Sequence, residues 1–472
     1  MMRAAPAMAR TMSREHGGGE AVVLLTGIRA GIKLVPMTDL EFARAQMGMS
    51  LAFHILFATV GIGMPVLMAM AEGMHLRGGN PVHRELARRW ARGTAILFAV
   101  GAVSGTVLSF ELGLLWPEFM KHAGAIIGMP FSLEGFAFFT EAIFLGVYLY
   151  GWDRIPPVAH WLAGMMVAIS GILSGVFVVT ANGWMNTPVG FELVDGEFRN
   201  IDPIAAMLNP AALHEVIHMT LAAFTATGFL VAGIHACFLL RDRRDEFHLT
   251  AFKLGAALGC ITIPLLVLSG DFSARRVAEL QPVKLAAMEA HFKTGSRAPL
   301  IIGGIVDEEN MTTRYAIKIP AGLSLLVGRS PSAVVPGLDQ VPRDEWPNVA
   351  LTHWSFDIMV ACGLFMLAVA GWAGIQCCRG RDIPKNRWLL RAFVVAAPMG
   401  FIAIEAGWFV TEFGRQPWII YGVMRTSEAV TPMPGLVVPF SVFTGVYLFL
   451  SVILVFLLKR QFLQTAPDFK DN

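Results

Sequence analysis

The sequence predicts an all-α polytopic membrane protein of about nine transmembrane helices, N-terminus outside and C-terminus cytoplasmic. Three observations carry this. Of 472 residues, 55% are hydrophobic and 15% charged, which excludes a soluble globular chain of this length. Apolar runs long enough to cross a bilayer, about 20 helical residues each, recur along it. The connections between those runs alternate between basic and poor in Lys and Arg.

The elements follow in order. The first span, 44–73, runs into a loop carrying Arg77, Arg84, Arg88, Arg89 and Arg92, which the positive-inside rule places in the cytoplasm. The second, 94–114, returns outward, and the third, 126–151, comes back to Arg154. The fourth, 161–182, leads to the acidic connection 183–210 with Glu192, Asp195, Glu197 and Asp202. The fifth, 211–240, ends at Arg241, Arg243 and Arg244. The sixth, 249–270, opens an external stretch over 271–350, and connections that long are more often functional than idle. The seventh, 352–377, ends at Arg379, Arg381, Lys385 and Arg387; the eighth is 388–411. The ninth, 434–458, meets Lys459 and Arg460. Four regions result: 1–36, 37–270 with six spans, the external loop 271–350, and 351–472 with three spans and a short cytoplasmic tail. Residues 1–36 lack the apolar core of a signal peptide and read as a disordered extension or the product of an upstream start codon.

Composition excludes further classes. The formal net charge of +2 gives no reason to expect nucleic acid as a partner. The five cysteines (Cys237, Cys260, Cys362, Cys377, Cys378) form no CxxC or CxxCH pattern. Disulfide frameworks, thiolate metal sites and covalent heme attachment are therefore not expected.

Polar residues inside apolar runs carry the chemistry. Glu405 lies within 393–410, FVVAAPMGFIAIEAGWFV. An ionised carboxylate in hydrocarbon costs roughly 2.5 kcal/mol or more, so it needs a partner or a task. His54, Glu134, Glu141 and His218 interrupt other runs, which points to bound metal, a proton path or both. At a rise of about 1.5 Å per residue, His218 and Met359 fall at matched depth on the fifth and seventh spans, each about seven residues in. Imidazole and thioether form a known axial pair for heme iron. His54, Glu134 and Glu405 fall in the same outer half, with Glu141 two turns deeper than Glu134 on one face. Taken singly, each has a plainer use: a membrane His bonded to a neighbouring helix, a packing Met, a paired Glu.

His214-Glu215-Val216-Ile217-His218 matches HExxH, the zinc motif of metalloproteases. An intramembrane protease needs a third ligand on another span, and the acid in PGLD, Asp339, lies in the external stretch instead. Glu215 is thus expected to be a bystander beside His218. A proton-coupled transporter is the other rival, since buried Glu and His suit it equally well.

Several segments together resemble one family, subunit I of the cytochrome bd quinol oxidases, and within it the short-loop, cyanide-insensitive-type branch. They are Arg44-Ala-Gln46 leading to His54, Leu133-Glu-Gly135 through Glu141 to Gly151-Trp-Asp-Arg154, and Ala181-Asn-Gly-Trp184. Next come Leu208-Asn-Pro210 to His218, Lys284-Leu-Ala-Ala-Met-Glu289 and Met359-Val-Ala-Cys-Gly363. Glu405-Ala-Gly-Trp408 through Gly414-Arg-Gln-Pro-Trp418 closes the series, which covers nearly the whole chain after Met37.

The resemblance implies His218 and Met359 on a low-spin heme b, and His54 and Glu405 as ligands of a high-spin pair. That pair would be a second heme b and a heme d, or a third heme b in its place, with Trp408 and Arg415 beside the cofactors. It implies Glu134 and Glu141 on the proton route and Lys284 and Glu289 at quinol oxidation. It also implies a second membrane subunit, a small single-span subunit, quinol and O2 as substrates, and a bacterial inner-membrane location. Quinol protons would leave outside and the protons for water would enter from the cytoplasm, giving a membrane potential without a pump. Two departures stand out: Asp357, two residues before Met359, where many members carry Arg, and an external stretch lacking the long insertion of other members.

Overall fold

The computed structural model describes residues 37–241 and 244–462. Residues 1–36 and Arg243 lie outside the described residues. Among the described residues, nine segments are long and apolar enough to cross a membrane. They comprise α1 (Asp39–Gly78), α2 (Pro81–Leu115), α3 (Pro117–Tyr150), α4 (Pro157–Asn186), α6 (Ala212–Leu240), α7 (Glu246–Leu280) and α10 (Val349–Cys378). The eighth span is made of α11 (Arg387–Ala396) and α12 (Met399–Phe413), and the ninth is α14 (Val437–Phe462). Short helices α5 (Pro203–Met207), α8 (Pro282–Met288), α9 (Gly322–Gly328) and α13 (Thr426–Ala429) lie between them.

Local chemistry sets the ends. Proline occupies the first turn of α2, α3 and α4, where its missing N–H loses no helical bond. The side chains of Asn80, Asp245 and Asn348 accept from backbone N–H groups that open α2, α7 and α10. α1, α4, α7 and α10 start a few residues before the limits expected from hydropathy, because amphipathic first turns reach beyond the apolar stretch. Four differences are larger. α2 starts at Pro81 and not at 94, so Arg84, Arg88, Arg89 and Arg92, expected in a loop, lie on its first turns, and α3 starts at Pro117 and not at 126. α7 continues to Leu280, ten residues into the segment expected as loop, carried by pairs along the helix: Arg275 with Asp271 and Arg276 with Glu279, both at 2.5 Å. The eighth span breaks at Ala397–Pro398, where proline has no N–H to donate.

Sequence neighbours pack as antiparallel pairs: α1 on α2, α3 on α4, α6 on α7. α1 also meets α4, α6 and α14, which places it centrally, and α6 packs on α7, α11, α12, α4 and α1. α14 packs on α1 and α2, and among the described residues it is the span least buried by protein. On the side opposite the arginine-rich loops, small antiparallel pairs cap the bundle. These are β1 (Glu192–Val194) with β2 (Glu197–Arg199), β3 (Leu300–Ile302) with β6 (Ile317–Ile319), β4 (Ile305–Asp307) with β5 (Thr312–Arg314), and β7 (Trp418–Ile420) with β8 (Met424–Arg425).

Candidate functional site

A cavity of about 2040 Å³ runs through the bundle, walled by α1, α2, α3, α4, α6, α7, α8, α10 and α12. His54, Glu134, Glu141, His218, Lys284, Glu289, Met359, Trp408 and Arg415 all lie on its wall. Glu405 does not, although its neighbours Ile404, Gly407 and Trp408 do; its Oε1 is buried with no protein partner. α10 begins at Val349, a turn earlier than expected, so Met359 lies about a turn further into its helix than His218 does in α6.

Hydrogen bonds orient both histidines. Ser104 on α2 donates its hydroxyl proton to the carbonyls of Val100 and Gly101, both at 3.1 Å. With its proton on a carbonyl, the same oxygen accepts from His54 Nδ1, 3.0 Å away. Ser269 on α7 likewise donates to Leu266 O at 2.8 Å and accepts from His218 Nδ1 at 2.9 Å. With Nδ1 protonated, Nε2 of each ring keeps its lone pair, as a metal-ligating imidazole requires. Small residues make room: a methyl group at Gly105 would lie 3.0 Å from the His54 ring, and one at Gly407 3.1 Å from Met359 Sδ.

HExxH does not assemble a zinc site. Among the described residues no cluster of three or more His, Cys, Asp or Glu could hold a metal ion. His214 Nδ1 faces Ser273 Oγ at 3.3 Å, one turn along α7 from the Ser269 that orients His218. Glu215 is no bystander. Its Oε1 accepts from Asn186 Nδ2 at 3.2 Å, and Asn186 Oδ1 accepts from Lys284 Nζ at 2.8 Å and Arg415 at 3.5 Å. Arg415 is paired with Glu412 at 2.5 Å, Glu412 also accepts from Asn182 at 2.8 Å, and Gln281 donates to Asn186 O at 2.9 Å. Lys284 thus belongs to a two-acid, two-base network centred on Asn186. Burial and then Arg415 push the Lys284 amine below its usual range, against the pull of Glu215 and Glu412. Arg415 Nε is left without a partner.

Glu289 turns elsewhere. It is 1% exposed, neither carboxylate oxygen has a protein partner, and burial followed by Asp357 pushes its carboxyl up to about 8. Asp357 accepts from Gly303 N at 2.5 Å and lies 3.5 Å from His353 Nε2. Where an arginine was the family expectation, the chain therefore places a second acid beside Glu289.

Deeper in the cavity, Glu134 accepts from Ser174 Oγ at 3.5 Å. Glu141 is buried against Gly171, where a methyl group would lie 3.4 Å from both carboxylate oxygens. Two further acids absent from the sequence expectations, Glu72 and Glu111, are buried in apolar helices. Glu111 Oε1 accepts from Gln46 at 3.0 Å and Ser50 at 2.8 Å. The signal that marked Glu405, a carboxylate within an apolar run, marks these as well.

A family model described as cytochrome bd terminal oxidase subunit I matches residues 42–466. A Bacillus subtilis (strain 168) chain that carries the provisional name cytochrome bd menaquinol oxidase subunit I is 36% identical over 439 residues, spanning 92% of this chain and 98% of that one. The cytochrome bd ubiquinol oxidase subunit 1 of the same organism is 33% identical, spanning 90% of this chain and 94% of that one. A solved structure of the bd oxidase from Geobacillus thermodenitrificans superposes with a TM-score of 0.86 at 40% identity, covering 91% of this chain and 99% of its counterpart.

Proposed function

The chain belongs to the cytochrome bd terminal oxidase subunit I family, and from that premise we propose that it oxidises a membrane quinol and delivers the electrons to O2. Two quinols release four electrons and four protons, and O2 with four electrons and four protons gives two waters. The observation that carries the reading is the pair of serine-oriented histidines, His54 and His218, whose Nε2 lone pairs are left for a metal on one large cavity.

The residues fit heme. His218 and Met359 would hold a low-spin heme b; His54 and Glu405 would serve the high-spin pair, a heme b with a heme d or a third heme b. The unpartnered Nε of Arg415 suits a propionate, and the unpartnered Oε1 of Glu405 suits a metal whose charge compensates a buried anion. Bound heme supplies one-electron transfer and the iron at which O2 is reduced.

The chain's own groups handle the quinol and the protons. Lys284 and Arg415, held by Asn186 against Glu215 and Glu412, present buried donors to a quinol oxygen. Glu289 has free carboxyl oxygens to take the hydroxyl proton. Glu134 and Glu141 carry protons inward from the opposite side. Lys284 and Glu289 lie on the acidic side of the bundle and the arginine-rich ends on the other, which supports a quinol site outside, a cytoplasmic C-terminus, and a membrane potential across a bacterial inner membrane without pumping. A second membrane subunit, and a small single-span one, complete the assembly.

The test is the reduced-minus-oxidised visible spectrum of the purified protein and of His218→Ala and Met359→Leu. The low-spin heme signal should be present in the parent and lost or shifted in each variant, with the protein still inserted. A colourless parent would sink the oxidase reading; unaltered spectra in both variants would sink the ligand assignment.

A further inference from the structure

A second set of buried titratable groups lies at the other end of the bundle, away from the quinol and heme residues. Glu72 on α1, Tyr148 on α3 and His160 on α4 are 3%, 0% and 3% exposed. His160 Nε2 lies 2.9 Å from the Tyr148 carbonyl, which can only accept, so Nε2 carries a hydrogen. His160 Nδ1 lies 2.6 Å from Glu72 Oε1. One proton therefore sits on that line, shared between an imidazolium–carboxylate and an imidazole–carboxylic acid form.

Glu72 Oε2 and the Tyr148 hydroxyl are both buried, and the hydroxyl faces the Glu72 carboxyl as its hydrogen-bond acceptor. The contact carries the line of titratable groups on from His160 through Glu72 to the Tyr148 hydroxyl.

The same three helices enclose Glu141. It lies seven residues, about two turns, from Tyr148 on α3. Gly171 on α4 and Gly61 on α1 close around it, and a methyl group at Gly171 would lie 3.1 Å from Gly61 O. Gly164, one turn beyond His160 on α4, seats the Tyr148 ring, whose Cε2 would be 2.5 Å from a methyl group there. On the other side His160 packs under Trp152, with ring centroids 4.0 Å apart, and Arg84 and Arg88 cover Trp152 from the first turns of α2. Asp153, paired with Arg84, is exposed at that rim. The cluster thus stands between the arginine-rich face and Glu141.

We propose that Glu72, His160 and Tyr148 form a proton-loading site that takes protons at the cytoplasmic face and passes them to Glu141. The inference rests on the reading of Glu141 as a proton carrier. The transfer is Glu72–COOH plus Glu141–COO⁻ giving Glu72–COO⁻ plus Glu141–COOH, through the Tyr148 hydroxyl and intervening water. A proton from the basic rim then returns to the line between His160 Nδ1 and Glu72 and restores the starting state.

The experiment uses the complete heme-bearing oxidase in liposomes, fully reduced and mixed with O2. The membrane-potential rise that accompanies proton uptake is followed alongside the heme absorbance. Glu72→Gln and Tyr148→Phe should slow the uptake phase at least about tenfold, with a larger solvent isotope effect, while O2 binding and heme content are unchanged. Glu72→Asp should restore most of the rate. Glu141→Gln is measured in parallel. Wild-type uptake in Glu72→Gln and Tyr148→Phe with slow uptake in Glu141→Gln would overturn the loading site and leave the carrier standing. Wild-type uptake in all three would overturn the carrier, and the loading site with it. If Glu72→Gln fails to assemble, Tyr148→Phe decides, since it removes one oxygen and keeps the ring packed against Gly164.

Discussion

Glu289 shows how one residue's surroundings set the pH response of the site. Its carboxyl, pushed up to about 8 by burial and then by Asp357, is protonated at neutral pH and can take a quinol proton only as pH rises towards that value. The apparent second-order rate for quinol should therefore climb through about pH 8 in the parent. Glu289→Gln should lower it about a hundredfold and remove the climb. A parent profile flat from pH 6 to 9, measured with heme content constant, would remove Glu289 from the proton step. The sign for stability is opposite: with the folded value raised, this residue's contribution is full below the ordinary carboxylate range and is lost as pH rises through about 8. Glu215 carries a second residue-scale prediction. Because it holds Asn186, which holds Lys284, Glu215→Gln should raise the KM for quinol roughly tenfold with the heme spectrum untouched, as loss of one charged hydrogen bond in a buried network implies. Unchanged KM would return Glu215 to a packing role. Nothing in the sequence near Glu215 announces this: its partner lies 29 residues away, and Lys284 meets that same Asn186 across 98 residues.

At the scale of elements, apolar length was sufficient for the nine spans because a bilayer-crossing segment must satisfy its own backbone, and only a helix does so within one segment. The polar end of α7 was hidden for the same reason: Asp271, Arg275, Arg276 and Glu279 pair along the helix surface, and hydropathy falls although the helix continues. The proline break in the eighth span was visible as Pro398 but had no bearing on apolar length. Small residues set how closely spans approach. Gly255 and Gly259 on α7 face Gly228 on α6, where a methyl group would lie 2.4 Å from the Gly259 nitrogen and 2.9 Å from Gly255 O. That close pairing holds the register in which Ser269 reaches His218. Gly228→Val should force the helices apart, destabilise the fold by about 1–3 kcal/mol and shift the low-spin heme band. Gly374→Val on α10, where nothing lies within 4 Å, should do neither. Equal behaviour of the two variants in thermal melts and spectra would show that α6–α7 contact does not position the histidine.

Across the whole molecule the polar groups divide by side, and the division is what would make the reaction electrogenic. Lys284 and Glu289 sit at the acidic end of the cavity, Glu134 and Glu141 line it further in, and the arginine-rich loops close the opposite face. The sequence made this division readable because depth along a helix is proportional to residue number. It could not show that the groups share one cavity, which depends on how nine spans are arranged around α1. If protons enter only from the arginine-rich side, Glu141 is a point they must pass. Glu141→Gln keeps the size and the fit against Gly171 but has no proton to give. Quinol should therefore still reduce the low-spin heme at the parental rate, since that step releases protons at the other end. O2 reduction should slow by at least about tenfold with heme content preserved, and the membrane potential formed per electron should fall. Parental turnover with full charge separation would mean that protons reach the oxygen site along another set of helices, leaving Glu141 as a carboxyl kept for packing between α1, α3 and α4.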